Sequence, residues 1–176
     1  MDWIKQTDVL FLDIIYKLKN PFLDFIMPGI TKLGDKGFIW ILICIVLILI
    51  KKSRKCGISS VLSLVVNFVI TNIVLKNLVA RERPFANNNL IELLVEAPKD
   101  FSFPSGHTSA SFAAATVIFL YNKKWGITAY ILAFLIAFSR LYLYVHFPTD
   151  VIGGIIVGIV SALTANYIYI KISHDR

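Results

Sequence analysis

Residues 56–75 read CGISSVLSLVVNFVITNIVL, 20 positions without a charge between Lys55 and Lys76. A bilayer core takes roughly 20 apolar residues of helix. A helix also satisfies every backbone polar group internally, as hydrocarbon demands. The stretch predicts a membrane-spanning helix, and its pattern repeats on both sides. Toward the amino terminus, residues 37–50 are uncharged between Lys36 and Lys51. That run is short and relies on Lys51 and Lys52 reaching up to the interface. Toward the carboxyl terminus, residues 101–122 carry no charge apart from His107. Residues 125–139 lead to Arg140 and are extended by residues 141–145, and residues 151–170 give 20 more uncharged positions. Pro21–Leu33 predicts a short, imperfect first span. Ahead of it, Ile4, Leu10, Phe11, Ile14, Ile15 and Leu18 alternate with Asp8, Asp13 and Lys17. Residues 1–20 therefore predict an amphipathic helix lying in the interface. The expected fold is all-α: a polytopic transmembrane bundle of about six spans. It forms a single membrane-embedded domain over residues 1–176, with one substantial loop at 85–103.

Composition agrees. The chain is 57% hydrophobic with a mean hydropathy of +0.72, well above soluble domains. Its formal charge is +7, but the basic residues sit in short clusters between apolar runs. That is how membrane loops look, and it argues against a nucleic-acid surface. Cys44 lies inside an apolar run and Cys56 beside a basic cluster, so neither suggests a disulfide framework. Residues 1–20 carry Asp2, Asp8 and Asp13 and lack the apolar core of a cleavable signal peptide.

Counting Lys and Arg orients the bundle. Lys51, Lys52, Arg54, Lys55, Lys123, Lys124, Lys171 and Arg176 fall on one side, and Lys5, Lys17 and Lys19 are expected with them. Lys32, Lys36, Lys76, Arg81, Arg83, Lys99 and Arg140 fall on the other. Eleven against seven makes the first side cytoplasmic. Both termini are then expected there.

The second side carries the chemistry. Lys76-Asn77-Leu78-Val79-Ala80-Arg81-Glu82-Arg83-Pro84 ends one span, Pro104-Ser105-Gly106-His107 opens the next, and Ser139-Arg140 runs on to His146 and Asp150. Ionisable groups at membrane depth are costly and default to a functional site. Lys76 and Arg83 are seven residues apart, so they share a face if the helix runs to Pro84. Either alone reads as an interfacial anchor. With Arg140 they read as a phosphate site, Arg offering a planar fork and Lys a point charge. Pro104 and Ser105 signal a helix start, whose amides and dipole favour an anion, and Gly106 lets the backbone come close. Pro148 suits a first helical turn. Asp150 can curl back onto His146 and fix its tautomer, leaving the other nitrogen as a nucleophile. Asp35, Asp100 and Asp150 are scattered and Glu92 and Glu96 fall in the loop, so no carboxylate cluster suits Mg2+. Neither a metal nor another cofactor is expected. Gly154 and Gly158, with Ser109, Ala110, Ala113 and Ala114, read as close helix packing.

The three segments resemble the type-2 phosphatidic acid phosphatase superfamily of integral membrane lipid phosphatases. That family's pattern is Lys-x6-Arg-Pro, Pro-Ser-Gly-His and Ser-Arg-x5-His-x3-Asp. Lys76 to Pro84, Pro104 to His107 and Ser139 to Asp150 fit it without gap or substitution. The resemblance implies that His146 attacks phosphorus and that His107 protonates the leaving oxygen. A phosphohistidine is then hydrolysed by water. Lys76, Arg83, Arg140 and the Ser105–Gly106 amides would hold the phosphate. It also implies a bacterial cell-membrane enzyme working on the outer face. The leading substrate is an isoprenoid diphosphate such as undecaprenyl diphosphate, ahead of phosphatidylglycerol phosphate and phosphatidic acid. The partners expected are the lipid phosphate, water and the bilayer. Two rivals differ in class. Vanadium haloperoxidases share a related anion pocket but are soluble. A lipid binder or transporter could keep the cations but would not need His107, His146 and Asp150 together.

Overall fold

A computed structural model describes residues 2–87 and 91–174. Residues 88–90 of the expected loop, and Arg176 of the charge count, lie outside the described residues. Among those described, every regular element is helical. The helices are α1 Asp2–Tyr16, α2 Pro21–Leu33, α3 Phe38–Leu49, α4 Arg54–Phe68, α5 Lys76–Val79, α6 Gly106–Tyr121, α7 Lys123–Tyr142 and α8 Pro148–His174. A π-helical stretch, Val69–Leu75, joins α4 to α5 without a break.

Local sequence sets the boundaries. Asn20, Ser105 and Asn122 each cap the helix they precede, their side-chain oxygens accepting from Leu23 N, Thr108 N and Trp125 N. Pro21 and Pro148 take first-turn positions. The helix through Lys76 does not run to Pro84 as expected. It stops at Val79, where Ala80 turns left-handed at φ 47°. Of residues 141–145 only Leu141 and Tyr142 lengthen α7, which ends there, and Tyr144 takes φ 60°.

Three helical stretches are long and apolar enough to cross a membrane: Lys51–Ala86, Lys123–Tyr142 and Pro148–Ser173. α3 and α6 are shorter, at 12 and 16 residues. The bundle buries polar side chains beside an apolar core, and much of its outer surface is apolar. Ser59, Ser60, Ser63, Asn67, Thr71, Ser109 and Ser111 are buried, whereas Ile41, Val65, Phe134, Ile156 and Leu163 are exposed. Water would penalise that surface and lipid does not. Small residues let the backbones approach. A Cβ on Gly158 would stand 2.4 Å from Ser109 O, and one on Gly154 2.8 Å from Ser105 O. The two glycines therefore seat α8 against α6.

In chain order α3, α4–α5, α6, α7 and α8 build the bundle, and three of these stretches qualify as candidate spans. α2 stays at the end that holds the motifs. Tyr142 OH donates to its Asp24 at 2.7 Å, and Arg140 Nη1 donates to its Thr31 at 2.5 Å. Asp24 and Thr31 find partners at the rim that hydrocarbon would deny them. α1 lies at this end too, since its buried Asp8 meets Arg81 and Thr149. The far half of α8 ends beside Lys55 and Tyr121. The described parts of α1, with Lys5, Lys17 and Lys19, thus lie at the motif end, and the far half of α8 lies at the opposite end.

Candidate active site

Three chain breaks meet at the motif end: the turn after α5, the start of α6, and the link between α7 and α8. They surround a cavity of about 750 Å3 lined by Lys76, Arg83, Asp100, His107, Arg140 and His146. A second cavity, of about 680 Å3, shares Lys76, Gly106 and His107 and continues between α3 and α4 along Ile41, Ile45, Val61, Leu64 and Val65.

His146 is fully buried in the α7–α8 link. Its Nε2 stands 3.2 Å from Arg83 Nη1. A guanidinium can only donate, so Nε2 is the acceptor and Nδ1 carries the proton. Burial, then the nearby charges of Arg83, Arg140 and Lys76, hold the His146 pKa well below the ordinary value. The ring is neutral, as a nucleophile requires. On the other side, Asp150 Oδ2 lies 3.6 Å from Nδ1, too far for a direct hydrogen bond. Ser102 stands between them. Its hydroxyl donates to Asp150 Oδ2 at 2.5 Å and lies 3.4 Å from Nδ1. The expected Asp–His contact is thus relayed by a serine from the loop. Asp150 is held firmly, accepting from Phe147 N at 2.8 Å and from Arg81 Nη1 at 2.7 Å.

The three cations gather without a shared helical face. Lys76 belongs to α5, Arg83 to the extended turn after it, and Arg140 to the end of α7. Asp100 bridges the first two, its carboxylate accepting from Lys76 Nζ and, at 2.7 Å, from Arg83 Nη2. Burial alone would raise the Asp100 pKa, but Lys76 and Arg83 outweigh it and bring it down to about 2. Asp100 is half exposed on its loop, so a buried cation pair is covered by a carboxylate that reaches solvent. Arg140 is buried, and among the described residues no acceptor reaches its Nε. Such an orphaned donor beside two other cations suits a polyanion oxygen.

His107 sits in the first turn of α6, with Asp35 Oδ1 2.8 Å from its Nε2. Its ring packs at Gly34, where a Cβ would come 2.8 Å from His107 Cδ2. Gly106 lines both cavities, and a Cβ there would lie 3.6 Å from Lys76 Nζ. Ser105 does not contribute as expected. Its side chain caps α6, and its amide donates to Asp150 O at 3.0 Å. Asp35, Asp100, Ser102 and Arg81 join the site without a signal in the sequence. Arg81 stands inside one of the motifs, but nothing in its spacing assigns it a partner.

The profile of the PAP2 superfamily matches residues 57–173. The undecaprenyl-diphosphatase of Sulfolobus acidocaldarius is 37% identical over 134 residues, covering 76% of this chain and 64% of that protein. The undecaprenyl-diphosphatase BcrC of Bacillus subtilis is 34% identical over 145 residues, covering 80% of this chain and 72% of its own length. Among solved structures, the PAP2-type phosphatidylglycerolphosphate phosphatase of Bacillus subtilis superposes with a TM-score of 0.80 at 28% identity. That match covers 98% of this chain and 89% of the other.

Proposed function

The chain belongs to the PAP2 superfamily, and on that premise we propose that it removes a terminal phosphate from a membrane lipid through a phosphohistidine on His146. One observation carries the reading. A neutral, buried imidazole nitrogen faces a cavity ringed by Lys76, Arg83 and Arg140, and that cavity meets an apolar groove. The groove suits a lipid tail and the cations suit its phosphate.

The steps balance without metal. The phosphate displaces Asp100 from Lys76 and Arg83, and its oxygens take their donors and those of Arg140. His146 Nε2 attacks phosphorus as the bond to the leaving oxygen breaks. In its doubly protonated form, with Asp35 on Nε2, His107 gives that oxygen its proton. His107 then accepts a proton from water, which attacks the phosphohistidine and restores His146. Ser102 and Asp150 hold the Nδ1 proton throughout. Phosphoryl transfer relies mainly on positioning and charge stabilisation, which three fixed cations supply.

The substrate reading is an isoprenoid diphosphate, undecaprenyl diphosphate foremost. The two undecaprenyl-diphosphatases at 37% and 34% identity support it. Phosphatidylglycerol phosphate is the second reading, favoured by the structural neighbour. Purified enzyme in detergent with excess EDTA is expected to release phosphate from farnesyl and undecaprenyl diphosphate. Its kcat/KM on them should exceed that on phosphatidic acid. Efficient cleavage of phosphatidylglycerol phosphate with neither prenyl diphosphate cut would reverse the ranking, and dependence on added Mg2+ would refute the metal-free route.

The motif end is assigned to the extracytoplasmic face. With the site's own Lys76, Arg81, Arg83 and Arg140 set aside, the far end carries Lys51, Lys52, Arg54, Lys55, Lys123, Lys124 and Lys171 against Lys5, Lys17, Lys19, Lys32, Lys36 and Lys99 at the motif end, seven to six, so the assignment rests mainly on the outer-face site that the family resemblance implies. The carboxyl terminus is then cytoplasmic and α1 lies in the outer interface. A membrane-impermeant thiol reagent on intact cells should label Glu96→Cys and spare Lys52→Cys, in a background lacking Cys44 and Cys56. The opposite labelling would place the site in the cytoplasm.

A further inference from the structure

α1 lies outside the region that the family profile covers, yet it reaches the site through one side chain. Asp8 is buried on a helix whose Trp3, Leu10, Phe11 and Ile14 are exposed. The helix thus turns Asp8 inward beside the buried Leu12, while a second apolar face of Trp3, Leu10, Phe11 and Ile14 lies outward. Asp8 Oδ2 accepts from Arg81 Nη2 at 2.6 Å and from Thr149 Oγ1 at 2.5 Å, and its Oδ1 accepts from Thr149 N at 3.0 Å. Arg81 spends its other terminal nitrogen on Thr149 Oγ1 and Asp150 Oδ1, both at 2.7 Å. The guanidinium carbon lies 4.1 Å from the Phe147 ring centroid.

The result is a chain of short contacts from Asp8 to Arg81, Asp150, Ser102 and His146. Each link holds the next. A planar fork placed between two carboxylates has its orientation fixed on both sides. With Asp8 absent, Arg81 would bond one carboxylate and be free to rotate, and the amide of Thr149 at the start of α8 would lose its acceptor. Asp150 lies next to Thr149 in the chain, so both losses act on the same carboxylate.

We infer that Asp8 is a positioning residue: through Arg81 and Thr149 it fixes Asp150, and so the ring of His146, tying the amino-terminal helix to the chemistry. The inference rests on His146 and Asp150 having the roles proposed above. Asp8 touches neither cavity, so it should affect the chemical step and leave substrate binding alone.

The test is kinetic. Asp8→Asn keeps the shape and removes the charge. The substrate is farnesyl diphosphate, or phosphatidylglycerol phosphate should that be the lipid cleaved. A displacement near 1 Å at a reacting group costs about a hundredfold, so kcat should fall by about ten- to a hundredfold with KM within about twofold. Arg81→Lys, whose single nitrogen cannot hold both carboxylates, should cause a similar fall. The double variant should be no slower than the slower single one, because both act along one path. Unchanged kcat in Asp8→Asn would overturn the inference, as would a rise in KM alone or multiplicative losses in the double variant. Should Asp8→Asn not fold, Arg81→Lys decides alone, and unchanged kcat there is equally fatal. His146→Ala is run beside them. Full turnover by that variant would remove the reading of the site itself, whereas a dead His146→Ala with a fully active Asp8→Asn removes the positioning role alone.

Discussion

His146→Ala is expected to lose phosphate release by a factor on the order of ten thousand or more, since nucleophile and leaving-group activation act as a unit. The protein should remain folded. The imidazole is fully buried, but its neighbours are polar, so the vacated space can take water that bonds Ser102 and Arg83. Asp150 keeps its bonds from Phe147 N, Arg81 and Ser102. The thermal midpoint in detergent, read beside a phosphate-release assay, separates loss of chemistry from loss of structure. Labelled phosphate on acid-labile histidine should appear in wild type after a rapid quench and be absent in the variant. Near-normal turnover without His146 would end the assignment.

Arg83→Lys should be nearly as damaging, with kcat/KM down about a thousandfold, the low end for a transition-state arginine. The exchange keeps the charge and loses the fork. Arg83 Nε donates to Asp100 O at 2.8 Å, Nη1 donates to Val145 O at 2.8 Å and meets His146 Nε2, and Nη2 reaches the Asp100 carboxylate. One guanidinium thus holds the loop before α6, the α7–α8 link and the His146 ring in register. A single ammonium cannot span those directions. An Arg83→Lys enzyme within about tenfold of wild type would show that charge alone suffices there.

Much of this is legible in the sequence, for physical reasons that also explain what is not. Apolar runs bounded by Lys and Arg locate α4, α6, α7 and α8 because hydrocarbon tolerates few charges. Lys76, Arg83, His107, Arg140, His146 and Asp150 converge on one end because each lies where an apolar run stops. Residues whose role depends on a partner far along the chain are not readable. Asp8 looks like a solvated face of α1 until Arg81 is placed beside it. Asp100 and Ser102 look like loop polarity until the loop folds back over Lys76 and His146. α2 has the length and hydropathy of a poor span, but Asp24 and Thr31 bind the end of α7 and hold it at the rim. Ser105 shows the opposite error. Its capping role is readable from its place before an apolar run, yet its amide is not free for an anion, because Asp150 O takes it.

The carboxylate of Asp100 over Lys76 and Arg83 has one more consequence. It is an internal competitor, tethered to the same chain, and a tethered group acts at an effective concentration on the order of millimolar for a short flexible link. Soluble orthophosphate and small phosphate esters must outcompete it by charge alone. On the proposed reading, a lipid with its tail in the α3–α4 groove would bring additional affinity, so it would displace Asp100 where a water-soluble ester at the same concentration would not. Selectivity for membrane-anchored phosphate then needs no pocket that recognises the lipid headgroup, because an acid on a loop sets the threshold.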